Sequence, residues 1–141
     1  KNYLKYFTVG SFDIVLSNPP FFKVTENKEL LNDLEQLSIA RHEVELNLDE
    51  LIDISSKLVK DRGYFYLVHR ADRLSEILVT LQKYNFEAKK IKFCYTTKQK
   101  NAKIVLIEAI KNGKVGLSIL PPLVINKDNG EYTDEVLKMF E

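Results

Sequence analysis

The run Phe12-Asp13-Ile14-Val15-Leu16-Ser17 passes straight into Asn18-Pro19-Pro20-Phe21. Near-continuous hydrophobicity over 12–17 suits a parallel strand buried on both faces. Pro19 and Pro20 cannot donate backbone hydrogen bonds, and each holds its φ near −65°. Each also pushes the residue before it out of the helical region. The carbonyls here are therefore held extended, with no neighbouring N–H to consume them. Asn18 adds a side-chain carbonyl and amide, and Phe21 adds a flat apolar face. A rigid pair of acceptors beside a stacking surface suits a planar group whose amino hydrogens must be held. On its own, Asn-Pro-Pro reads equally well as a Pro-rich loop that closes a strand.

The rest of the chain sets the context. Residues 1–7 read as a short helix, with Tyr3, Leu4 and Phe7 on one side. Segment 22–46 is harder to place; 29–37 has helical spacing and 22–28 reads as mobile, so the segment could serve as a lid. Asn47-Leu48-Asp49-Glu50 has the form of a capping box. Leu48, Leu51, Ile52, Ser55, Leu58 and Val59 then follow helical spacing, and Gly63 is expected to end that helix. A strand over 64–69 follows, then a helix capped by Asp72 with Leu74, Ile77, Leu78 and Leu81 as its stripe. Asn85 can end it. Residues 86–95 and 102–110 read as strands joined by the polar, lysine-bearing loop 96–101. The order strand, helix, strand, helix, strand, strand predicts parallel strands with right-handed crossovers and an antiparallel last pair. Beyond it, 115–120 and 123–126 flank Pro121-Pro122 as a possible hairpin, and 132–140 reads as a terminal helix with Thr133 as its cap.

The chain has 141 residues, 45% hydrophobic and 29% charged, enough for one domain with a core. No apolar run approaches a membrane span and no signal-peptide pattern opens the chain. Cys94 is the lone cysteine. This excludes a disulfide framework and a Cys-rich metal site, and fits a reduced, cytoplasmic setting. Cys94 sits in a strand-like run and reads as packing. No metal is expected.

The motif and its setting resemble motif IV of the S-adenosylmethionine-dependent amino-methyltransferases, which modify exocyclic amines of adenine or guanine, or the amide of glutamine. The resemblance covers about residues 10–111. It implies an α/β fold: the C-terminal half of a Rossmann-like, seven-stranded class I methyltransferase sheet, mixed with an antiparallel last strand. It implies S-adenosyl-L-methionine as cofactor. It assigns Asn18 and the Pro19 carbonyl to the two hydrogens of the target nitrogen, Phe21 to stacking on the target group, and Pro20 to the role of rigid spacer. Asn18 and Pro19 would also border the cofactor. The family's Gly-rich cofactor loop and acidic ribose-binding residue are missing from this sequence. The chain is accordingly expected to be the C-terminal portion of a longer protein, inactive alone and with an exposed apolar strand edge. The methyltransferase part is read as 1–111 and the extension, a hairpin and a helix, as 112–141.

Three further features narrow the resemblance: Phe22-Lys23 after the motif, Ala40-Arg41-His42-Glu43 before the capped helix, and a tail with Leu120-Pro121-Pro122-Leu123 and Tyr132-Thr133-Asp134-Glu135. The set is similar to the bacterial methyltransferases that act on the adenosine just 3′ of the anticodon in valine tRNA. Guanine-directed ribosomal RNA relatives usually carry His where Phe22 stands. The resemblance implies RNA, and tRNA in particular, as partner, with Phe22, Lys23, Arg41, His42, Arg70 and Arg73 as candidate substrate contacts. Two alternatives stay open. One is methylation of a ribosomal RNA amine or a protein glutamine. The other is a non-catalytic RNA-binding adaptor that keeps the fold. Oligomeric state is not readable.

Net charge is only +1, but unevenly spread. Residues 26–62 carry ten acidic and five basic side chains, whereas 83–114 carry nine lysines against Glu87 and Glu108. Such asymmetry marks either a phosphate-facing side or an ordinary solvated lysine surface.

Overall fold

The computed structural model describes residues 7–19 and 47–141. The expected helix over 1–7, apart from Phe7, and that over 29–37, the lid, Pro20, Phe21, Phe22, Lys23, Arg41 and His42 lie outside the described residues. Within them the order is β1 (Phe12–Ser17), α1 (Leu48–Leu58), β2 (Val59–Arg70), a 3₁₀ turn (Ala71–Arg73), α2 (Leu74–Lys83), β3 (Phe86–Tyr95), β4 (Ile104–Lys111), β5 (Ser118–Ile119), β6 (Leu123–Val124) and α3 (Asp134–Met139).

One sheet holds all six strands, in the order β1-β2-β4-β3-β5, with β6 also on β3. β1 and β2 are parallel, and β4 runs antiparallel between β2 and β3. This is the mixed α/β arrangement that the βαβα reading implies.

Strand alternation divides the sheet into two faces. Phe65, Leu67, Val105, Ile107, Ala109 and Ile91 point to one of them and pack with Leu48, Ile52, Ile77 and Leu81 of the two helices. The other face carries Ile14, Leu16, Tyr64, Tyr66, Leu106 and Glu108. There the Tyr66 hydroxyl donates to Glu108 Oε1 at 2.8 Å. This bond raises the Tyr66 pKa. Toward the end of β3, α3 covers this second face: Glu135 pairs with Lys92 at 3.5 Å and Val136 is buried. Cys94 is buried and its thiol pKa is raised, chiefly by desolvation. It is packing, as its strand setting suggests.

α1 begins as its sequence dictates. Asn47 Oδ1 accepts from the Glu50 N–H at 2.8 Å. Its first turn then meets the end of α2, where Lys83 and the Tyr84 hydroxyl both reach the Asp49 carboxylate at 2.6 Å. Asn47→Ala should cost about 1 kcal/mol of stability, read by chemical denaturation. Asn85 ends α2 with φ 65°, a left-handed conformation that asparagine tolerates.

Several expectations need correction. Gly63 does not end α1. The helix stops at Leu58 and β2 begins at once. Two residues along β1, from Phe12 to Ile14, face five along β2, from Val59 to Tyr64. The excess is taken up by a bulge with Arg62 at φ 67°. Gly63 is needed there for close approach: a Cβ would sit 3.0 Å from the Asp13 carbonyl oxygen and 2.9 Å from Val59 Cγ2. Asp72 makes no cap bond, because its carboxylate is taken by Arg70 and a 3₁₀ turn precedes α2. Thr133 occupies the N-cap position of α3, but its hydroxyl donates to the Val124 carbonyl.

The 115–126 hairpin does not form. β5 and β6 both run parallel to β3 as two pieces of one edge strand. The Leu120 and Ile125 N–H groups bond to Ile91 and Tyr95, so Pro121 and Pro122 fall where the ladder is interrupted. β1, read as buried on both faces, has a single neighbour among the described residues. Ile14 is 54% exposed and Leu16 75%. A strand needs partners on both edges and cover on both faces to be buried, and β1 has one edge and part of one face. Among the described residues, then, the outer edge of β1 carries no partner strand.

Candidate functional site

β1 ends at Ser17, opposite Leu67 of β2, and the chain leaves the sheet through Asn18 and Pro19. Asn18 is exposed and Pro19 half-buried. The Asn18 amide is thus presented to solvent at the carboxyl end of a parallel pair, where open α/β sheets bind ligands.

The neighbouring strand ends in charge. The His69 imidazole is buried on the helix-covered face, and its Nδ1 accepts from the Arg70 N–H at 2.8 Å. Burial, then the nearby Arg73 guanidinium, lowers the His69 pKa. Both effects disfavour the charged ring, and a buried imidazole suits a packed scaffold. Arg70 pairs with Asp72. Arg73 grips Glu76 through two hydrogen bonds, of 3.0 and 2.7 Å, and lowers that carboxyl's pKa. These pairs went unread in the sequence, although Arg73 and Glu76 stand at the i, i+3 spacing that favours them. Both arginines lie at the same sheet edge as Asn18.

The β3–β4 connection completes the edge. β3 runs in the same direction as β2, so 96–103 lies at the carboxyl side too. The Lys103 carbonyl accepts from the Ala71 N–H at 2.9 Å, which ties this loop to the turn after β2. Among the described residues no cluster of His, Cys, Asp or Glu could hold a metal ion, and no helix is long and apolar enough to cross a membrane.

The architecture matches solved methyltransferase structures. A protein from Agrobacterium tumefaciens described as a predicted O-methyltransferase superposes with a TM-score of 0.68 at 19% identity, over 93% of this chain and 51% of that one. The fold is that of a class I methyltransferase. A candidate DNA modification methylase from Thermus thermophilus, solved with S-adenosyl-L-methionine, superposes with a TM-score of 0.50 at 15% identity, over 83% of this chain and 54% of its own. In sequence, the chain is similar to bacterial proteins named tRNA1(Val) (adenine(37)-N6)-methyltransferase. The protein of that name from Porphyromonas gingivalis is 29% identical over 133 residues, covering 92% of this chain and 50% of its own length. The chain spans about half the length of the curated relatives it matches. No family model matches it.

Proposed function

We propose that the protein transfers a methyl group from S-adenosyl-L-methionine to the exocyclic amine of an adenine in the anticodon loop of a tRNA, in the cytoplasm. The observation that carries this reading is the placement of Asn18 and Pro19 at the carboxyl end of β1. Support comes from relatives whose name states that activity. The cofactor supplies an electrophilic methyl group. Asn18 and Pro19, an exposed amide followed by a proline, fit a border around that methyl. The five glycines of the chain are too scattered to offer a backbone cradle for the nucleoside.

The amino nitrogen of adenine is a poor nucleophile because its lone pair is delocalised into the ring. Acceptors at the Asn18 side chain and the Pro19 carbonyl would hold its two hydrogens, favour pyramidal nitrogen and disperse positive charge as the N–C bond forms and the S–CH3 bond breaks to a neutral thioether; the nitrogen then loses one of the held protons to water. This is electrostatic preorganisation joined to positioning. No side-chain base is required before attack. The base leaves its stack to reach the pocket, and an unpaired loop base does so readily. Phe21 stacks on it, with Pro20 as spacer. Phe22, Lys23, Arg41 and His42 contact the RNA around it. Arg70 and Arg73 face the phosphates. The exposed Arg70–Asp72 pair is of the surface kind, at about 0–1 kcal/mol, so a phosphate can displace Asp72.

Phe21→Tyr should retain activity, whereas Phe21→Ala should lose about 1–3 kcal/mol of transition-state stabilisation in kcat/KM. Equal activity of the two variants would make Phe21 a packing residue. The reading as a whole is tested by mass spectrometry of tRNA nucleosides from cells with and without the gene. N6-methyladenosine should disappear from tRNA. Its persistence, with methylation lost instead from ribosomal RNA or a protein glutamine, would transfer the site to that substrate. No loss anywhere would favour the adaptor.

A further inference from the structure

The lysine excess of 83–114 divides between the two ends of the sheet. Lys83 is paired with Asp49. Lys89 Nζ donates to the Lys114 carbonyl and Lys111 Nζ to the Ser56 carbonyl, both at 2.7 Å, at the end away from Asn18. Lys92 is paired with Glu135, and Lys90 sits mid-strand on the second sheet face. Lys98, Lys100 and Lys103 differ. All three are exposed in the β3–β4 hairpin, and none makes an ion pair among the described residues. No acidic residue occurs within 96–103.

The hairpin is held on both sides. At one root the Ala71 N–H bonds to the Lys103 carbonyl, and the Lys103 N–H to the Cys94 carbonyl at 3.1 Å. At the other, the Ile125 and Asn126 N–H groups bond to the Tyr95 and Thr96 carbonyls at 2.9 and 2.8 Å. Gln99 Nε2 donates to Asp128 at 3.2 Å. The bracing segment carries Asp128, Glu131, Asp134 and Glu135 against Lys127, with Asp134 paired to Lys127 and Glu135 to Lys92, so the hairpin is the part of this surface with cations and no acidic side chain of its own. Asn18 leaves β1 and the hairpin springs from β3, three strand spacings away, or about 14 Å at ~4.8 Å each.

We infer that hairpin 96–103 is a docking arm for the RNA backbone beside the target base, with Lys98, Lys100 and Lys103 as its phosphate contacts. The inference rests on the RNA reading of Asn18 and adds the surface that the substrate lies on. Its test is the salt dependence of binding of the intact protein to an unmodified tRNA(Val) transcript. In the variant K98A/K100A/K103A the slope of log K against log salt should flatten by about 2–3, and affinity near 0.1 M salt should fall on the order of tenfold. K57A/K60A/K114A removes the same charge from the opposite end and should leave the slope as it was. A wild-type slope in the hairpin variant, or equal flattening in both variants, overturns the arm. The reading of Asn18 fails separately, if the wild-type protein binds this transcript without methylating it.

Discussion

Asn18→Ala in the full-length protein should abolish methyl transfer while leaving the protein folded. Losing one preorganised contact to the reacting group costs about 10²-fold or more in turnover. The exposure of Asn18 is the reason to expect the fold to survive. The decisive pair of measurements is single-turnover methylation of tRNA and a denaturation curve for the same variant. Near-normal turnover in a folded Asn18→Ala protein removes the basis for the assignment.

Phe65→Ala should be the most damaging substitution for stability. Phe65 is fully buried at the middle of β2, with its ring centroid 5.2 Å from that of Phe86. It pairs with Val15 on one side and Ala109 on the other. Truncating a buried phenylalanine costs about 3–5 kcal/mol, because the surrounding sheet and helices collapse only partly onto the void. Val79→Ala on α2 is the comparison. Val79 is 72% exposed, and the change should stay within about 0.5 kcal/mol. Comparable losses in the two variants would mean that the Phe65 environment is not the packed centre described.

Much of this architecture was legible in the chain because local chemistry and periodicity agreed. The Asn47 cap, the Asn85 stop and the antiparallel last pair follow from residue types that serve their roles wherever they occur. The misreadings come from residues whose role depends on a distant neighbour. A glycine that ends a helix and one that lets two backbones touch look identical in sequence. Gly63 is the second kind, because Asp13 lies against it. Arg62, not Gly63, takes the left-handed conformation, and its guanidinium is anchored 50 residues away on the Asn112 carbonyl at 3.0 Å. Asp72 was free to cap α2 until Arg70 claimed it. Pro121-Pro122 reads as a turn, yet with β3 alongside it becomes a gap in an edge strand. At the candidate site, the position of Asn18 was readable from the strand before it. The burial of His69 was not, because it comes from packing across the sheet.

The placement of β4 between β2 and β3 also dictates an order of assembly. As the chain is synthesised, at about 5–20 residues per second, β1, α1 and β2 can pair as soon as Arg70 has emerged. β3 cannot join them, for its place beside β2 is reserved for a strand not yet made. It must wait for Ile104–Lys111, fold with it as a hairpin within microseconds, and then dock on β2 as one piece. Until then the apolar side of β3, with Phe86 and Ile91, has no sheet to lie in. A nascent chain stalled short of Lys111 therefore holds two half-built units that cannot be closed, and quality-control proteases would meet it as unfinished, however well its first strands are made.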